Sequence, residues 1–331
     1  MTELLDREHA VVWPEVEARL AEAERSTQPH LLTKARQELV EEGTIESSTD
    51  TTRGGRSVTV WHPADLAGRA RAVEDAAGRK RLLYARHQSW SSARRGHPSG
   101  LLGPAAENVV HASLVAAAPH GYRLANPNGG QVHHLLGDPV PGGPLDSAAF
   151  LQLMDGAGLP GATVVVPIEV KNVRSWIYPQ ATELFQLLHK ASLLQETHPN
   201  LGFVPVLICR RRSYFAWQMG KELGFFPIEI HSQYVLPRAA VEPQAFEEVR
   251  HGLGYFDLKM TEDAEPRLIQ ALTTSLPNHA ERYAERWRVC GPPLKDYFEQ
   301  LREYVPPPDR AAVMEDFRDE VRHLPDCEGR W

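Results

Sequence analysis

The apolar and polar pattern is sharpest at residues 162–172, ATVVVPIEVKN, a β-branched apolar run that ends in charge. Such a run predicts a buried strand. Glu169 and Lys171 stand two apart at its end, and side chains at i and i+2 of a strand share a face. A carboxylate and an ammonium therefore leave a hydrophobic strand side by side. Burying charge is costly unless the charge is paired or bound to a metal, so this pair asks for partners elsewhere in the chain.

The pattern around it predicts alternating elements. Upstream come an amphipathic helix over 104–118 with proline at its start, a short strand over 121–125 and a turn over 126–130. A strand over 131–136, a loop over 137–144, a strand over 145–154 and a turn over 156–161 follow. Downstream come a long helix over 178–195, a buried strand over 203–210, a helix over 214–223 and a strand over 226–235. This order gives an α/β core over 103–238 with a mixed sheet flanked by helices. After Pro237 the chain turns polar and helical, with helices over 243–251, 266–274, 279–287 and 293–304, and proline punctuation at 306–308. Residues 239–331 thus read as a helical C-terminal extension.

Residues 1–62 read as a small helical domain closed by a hairpin. Helices are expected over 13–24 and 30–42, the second stopped by Gly43. Strands over 44–46 and 57–61 flank a Gly-Gly turn that carries Arg53 and Arg56. Residues 63–102 read as a basic helix, over 64–86, and a linker over 88–103 that contains Arg94 and Arg95.

Composition narrows the setting. The 331 residues, 42% of them hydrophobic, suffice for two or three domains with sizeable cores. No apolar run approaches the roughly 18 residues needed to span a bilayer. The start, MTELLDREHA, is charged and lacks an apolar leader core. Cys209, Cys290 and Cys327 are odd in number and far apart, which predicts reduced thiols and no CxxC metal site. A cytoplasmic protein without a membrane partner is the expectation. The net charge of −7 argues against a generally sticky nucleic-acid binder. Yet between Arg53 and Arg95 ten Lys/Arg face only Asp65, Glu74 and Asp75, so a segment of +7 sits in a chain whose remainder carries −14. Such a segment suits focused phosphate contact or a solvated helical face.

Asp146 lies 23 residues before Glu169, room for a strand, a turn and a second strand. It can therefore reach the same sheet end. Two carboxylates beside a lysine suit Mg²⁺ (or Mn²⁺), which takes one or two carboxylates plus substrate phosphate and acidifies bound water.

The residues Asp146 in GGPLDS and Glu169–Lys171 in IEVKN resemble the PD-(D/E)XK, restriction-endonuclease-like, nuclease superfamily over about 103–236. The resemblance implies that Asp146 and Glu169 hold the metal and that Lys171 is the catalytic lysine. It also implies that Glu107, on the first core helix, is a supporting acid. On the helix after the lysine, Gln186 fits the family's glutamine, with Gln180 as the alternative. Leu145 intervenes between Pro144 and Asp146 where the family usually has proline directly before the aspartate, so Asp138 and Asp155 remain alternatives. Helix, helix and an arginine-tipped hairpin resemble a winged helix-turn-helix, which implies Lys34, Arg36, Arg53 and Arg56, with Arg94 and Arg95 beyond, as contacts to double-stranded DNA. Together the resemblances imply an Mg²⁺-dependent DNA endonuclease with a restriction or defence role. A homodimer is expected where both strands are cut. A non-catalytic DNA-binding regulator on the same scaffold and an RNA-acting nuclease are the alternatives. Arg210, Arg211 and Arg212 read as phosphate contacts or a solvated loop. Trp176 and Tyr178 read as core, and His111, His133 and His134 as histidines without a metal.

Overall fold

The structure, a computed structural model, describes residues 1–331 apart from 22–26, 94, 95, 155, 238–240 and 304. Two units divide the chain: Met1–Pro104 with Ser232–Thr261, and Ala105–His231 with Glu262–Trp331. The four expected segments thus fold as two interleaved pieces.

The first unit starts with α1 (Thr2–Glu8), β1 (Val11–Val12) and α2 (Trp13–Val16), which runs into a π-helical turn at Glu17–Ala21. Neither α1 nor β1 is foreseen by the pattern, because seven residues and two residues are too short to show a period. Next come α3 (Pro29–Glu41), β2 (Ile45–Thr51) and β3 (Ser57–Pro63). The sheet order is β1-β3-β2, antiparallel, and β2 pairs β3 from Ile45 opposite Pro63 to Thr51 opposite Ser57. The expected strand over 44–46 is therefore longer, since its Ser/Thr run pairs as an exposed ribbon.

The basic helix, α4 (Ala70–Ser89), buries Val73, Ala77 and Leu83 in the same unit. Residues 88–103 are not a linker: Trp90 and Leu101 are buried, and the Leu101 N–H donates to the Trp90 carbonyl at 2.6 Å. These large apolar residues outweigh the small polar ones around them. Segment 232–261 returns to this unit. Its Gln233 bonds His87 at 3.0 Å, and Phe246 stacks on Trp90 with ring centroids 6.4 Å apart. The expected strand over 226–235 accordingly breaks at His231, whose φ is +58°, into Phe226–Glu229 and Gln233–Val235.

The second unit holds the mixed sheet. Its strands are β4 (Tyr122–Leu124), β5 (Ser147–Met154), β6 (Pro160–Lys171), β7 (Val206–Cys209) and β8 (Phe226–Glu229), in the order β8-β7-β6-β5-β4, and a sixth, Gly202–Phe203, pairs parallel with the start of β6. Strand β5 is antiparallel to both β4 and β6, while β6, β7 and β8 run parallel. The expected strand over 131–136 shrinks to His134–Leu135, paired with Asp138–Pro139. Helices α5 (Leu102–Ala117), α6 (Thr182–Thr197) and α7 (Tyr214–Leu223) flank the sheet.

One core joins Leu184, Leu187 and Leu188 of α6 to Val165 and Leu207 of the sheet and to Trp287, Phe298 and Phe317. The last three lie on α8 (Ala280–Cys290), α9 (Lys295–Arg302) and α10 (Pro307–His323). The C-terminal helices are thus part of the core rather than an appendage. Gly224 shows how closely they pack: it caps α7 at φ +89°, and a Cβ there would strike the Trp287 backbone. Prolines 307 and 308 open α10, where their fixed φ suits a first turn. Among the described residues no helix is long and apolar enough to cross a membrane.

Candidate active site

The register of β5 on β6 places Ser147 opposite Ile168. Asp146 is the next residue, at the bend before β5, so the pairing brings it to the end of β6 that carries Glu169. The Val170 N–H donates to Asp146 Oδ2 at 2.8 Å and fixes that carboxyl. Glu169 is only 2% exposed. Lys171 Nζ donates to Glu169 Oε2 at 3.2 Å and to Gln186 Oε1 at 3.0 Å. A second ammonium completes the group: Lys190 Nζ donates to Glu169 Oε1 at 2.5 Å and to the Pro144 carbonyl. Gln186 and Lys190 lie four apart on α6 and so project from one face.

The charges respond to one another. Burial and then the Glu169 charge push Asp146 up to about 7, against the pull of the Val170 N–H and Lys171. Burial also opposes ionisation of Glu169, yet Lys171 and Lys190 outweigh it and hold that carboxyl below its usual range. Of the two acids Asp146 is therefore the one that holds a proton, up to about pH 7, while Glu169 carries the charge. Glu107 on α5 is raised by burial and by the Glu169 charge, with Lys171 opposing. Glu107, Asp146, Glu169, Lys171 and Gln186 thus share one neighbourhood. Of the alternatives, Asp138 is exposed and faces His198 at 3.5 Å, and Gln180 is exposed, its backbone carbonyl accepting from Arg310 at 2.7 Å. Asp155 lies outside the described residues.

Among the described residues no three His, Cys, Asp or Glu side chains gather closely enough to hold a metal ion. The donor set is the pair Asp146 and Glu169, with Glu107 near but not closing a triad. Two carboxylates suit a hard cation that keeps several waters. An acid raised by burial and by a neighbouring carboxylate is also the kind of group that a divalent cation would return to its charged form. Each oxygen of Glu169 already faces an ammonium, so a cation bound there competes with Lys190 and Lys171.

Lys190 is the site residue that sequence reasoning missed. Its signal was a lysine one turn after Gln186 on a helix face otherwise filled by Leu187, Leu188 and Ala191. Of the arginine run, Arg210 is 1% exposed and donates to the Val173 and Arg174 carbonyls, so it serves the fold. Arg211 pairs with Glu229 at 3.3 Å and lies over Trp176, which is buried as expected.

In the first unit, Lys34 is exposed and faces Glu38 at 3.8 Å, beside the exposed Glu41 and Glu42. Arg36 lies over both Trp13 and Trp61, 4.3 and 5.1 Å from the ring centroids, and is engaged in packing. Arg53 is exposed at the hairpin tip, and Arg56 donates to Ser92. With Arg81, Leu82 and Arg86 of α4 they line a groove of about 700 Å³. The positive charge of this unit therefore sits on the hairpin and α4 more than on α3. Arg94 and Arg95 lie outside the described residues. No family model matches the chain, and no curated protein or solved structure matches it.

Proposed function

We propose that the chain is an Mg²⁺-dependent DNA endonuclease with a restriction-endonuclease-like core. The observation that carries this reading is the meeting of Asp146, Glu169, Lys171 and Gln186 at one end of adjacent strands. Asp146 and Glu169 would hold Mg²⁺ (or Mn²⁺), which when bound supplies an acidified water and charge stabilisation at phosphorus. Lys171 sits between Glu169 and Gln186 and orients the nucleophile or meets the developing phosphorane charge. Gln186 holds the Lys171 ammonium in place. Glu107, half-buried, adds negative field and reaches the centre directly or through water. The order of α5, three antiparallel strands, α6 and the parallel strand β7 supports the same core.

In the first unit the order helix, strand, helix, helix, hairpin, with β1 added beside β3, supports a winged helix. Its double-stranded DNA contacts are assigned to Arg53 and Arg56, with Arg81 and Arg86 beside them. A cytoplasmic setting and a homodimer for double-strand cutting belong to the same proposal.

Plasmid nicking with Mg²⁺ tests it. Lys171→Ala or Asp146→Ala should bind DNA nearly as the parent does and cut at least a hundredfold more slowly; equal cutting by either variant refutes the assignment. A second reading, a non-catalytic DNA-binding regulator on this scaffold, is favoured by one observation: both Glu169 oxygens are occupied by lysines. Absence of metal-dependent cleavage of DNA and RNA alike, with DNA affinity intact, would establish it. Cleavage of RNA alone would transfer the activity to that polymer.

A further inference from the structure

We propose that the carboxyl end of β7 and the face of α7 form a platform for a single-stranded stretch of nucleic acid, a substrate class that rests on the nuclease reading. Cys209, the last residue of β7, is the register partner of Lys171. The chain leaving β7 therefore starts one strand spacing, ~4.8 Å, from the strand that carries the lysine. Arg210 and Arg211 are taken up by carbonyls and by Glu229, but Arg212 forms no ion pair among the described residues. It lines a cavity of about 570 Å³ with Lys221 and Arg282, which form none either, with Trp217, His231 and His279, and with one acid, Glu229, which is paired with Arg211 at 3.3 Å. Burial and then Arg211, Arg267 and Arg212 press His231 down to about 4, so its imidazole stays neutral.

Beside this cationic cavity α7 exposes aromatic rings. Tyr214 is 54% and Phe215 47% exposed. Tyr214 lies 5.4 Å from Trp217 between centroids, and Lys221 sits over Trp217 at 4.6 Å. Large aromatic side chains left in water at the start of a helix, next to cations without acidic partners, match what a single strand needs. Phosphates take the cations, and unpaired bases stack on the rings. A duplex keeps its bases stacked on each other and has no use for the rings.

The test measures anisotropy of a fluorescein-labelled oligothymidylate, and of a duplex of equal length, with the whole chain in EDTA. Arg212→Ala/Lys221→Ala should weaken single-strand binding at least tenfold and reduce the salt slope by about 1.4, roughly 0.7 for each phosphate contact. Tyr214→Ala/Phe215→Ala changes exposed residues only. It should weaken single-strand binding roughly five- to a hundredfold, leave the slope unchanged and spare the duplex. Unchanged single-strand affinity in either variant, or equal losses on both ligands in the aromatic one, overturns the platform. Metal-dependent cleavage with a working Lys171→Ala control reports on the nuclease reading separately.

Discussion

Asp146, at the bend before β5, meets Glu169 at the end of β6, and the two divide one negative charge unequally, Asp146 holding its proton up to about pH 7. Unfolded, Asp146 titrates near its ordinary 3.8. Between those values the folded state binds a proton that the unfolded state has lost, so stability from this group falls as pH rises from about 4 to about 7, then levels. Asp146→Asn removes the titration and still offers a donor to Glu169. Its stability relative to the parent should climb across that window by up to about 4 kcal/mol. Urea unfolding at intervals from pH 4.5 to 8 reads the difference, and parallel curves would remove Asp146 from the coupled pair.

A divalent cation taken up by these acids must displace the shared proton, since ligands bind deprotonated. Mg²⁺ should therefore bind more tightly as pH rises toward 7 and should release protons, seen calorimetrically as a heat that changes with buffer. At a hundredfold excess over Kd it stabilises the fold by about 2.7 kcal/mol, a thermal shift of a few degrees. EDTA should reverse the shift, and Asp146→Ala should lack it. A shift of equal size in that variant would place the cation elsewhere.

Arg36 and the hairpin arginines should part company when mutated. Arg36 lies over Trp13 and Trp61, so Arg36→Ala is expected to destabilise the first unit by about 1 kcal/mol and barely move DNA affinity. Arg53→Ala and Arg56→Ala should spare the melting temperature, weaken DNA binding across sequences and each lower the salt slope by roughly 1. Binding isotherms at several salt concentrations, paired with melts, distinguish the roles; loss of affinity in Arg36→Ala at full stability would return that residue to the interface.

The division between legible and hidden features follows from range. The run ending in Glu169 and Lys171 announced its strand because alternation and burial are local, and a turn-length gap sufficed to bring Asp146 alongside. The helices of the core showed their period. What the sequence concealed depends on long-range packing. Trp90 and Leu101 look like punctuation within a polar stretch until Phe246, far along the chain, stacks on Trp90. The strand over 226–235 looks continuous until His231 turns it. Lys190 looks like one more helical lysine until α6 lies against Glu169.

Lys190 supplies the sharpest remaining test, because stability and metal affinity should move in opposite directions. Its ammonium lies against a buried Glu169 oxygen and the Pro144 carbonyl. Lys190→Met strips Glu169 of one of two cations, and leaving a buried charge short of partners should cost about 2–4 kcal/mol of apo stability. Lys190→Met with Glu169→Gln removes the orphaned charge, so the double variant should be more stable than the sum of the single losses by at least about 1 kcal/mol. In Lys190→Met the vacated oxygen no longer has to exchange an ammonium for a cation. Mg²⁺ affinity should then rise several-fold, and saturating Mg²⁺ should restore part of the lost stability. Weaker Mg²⁺ binding in that variant would mean that Lys190 braces the carboxylate for the metal instead of competing with it.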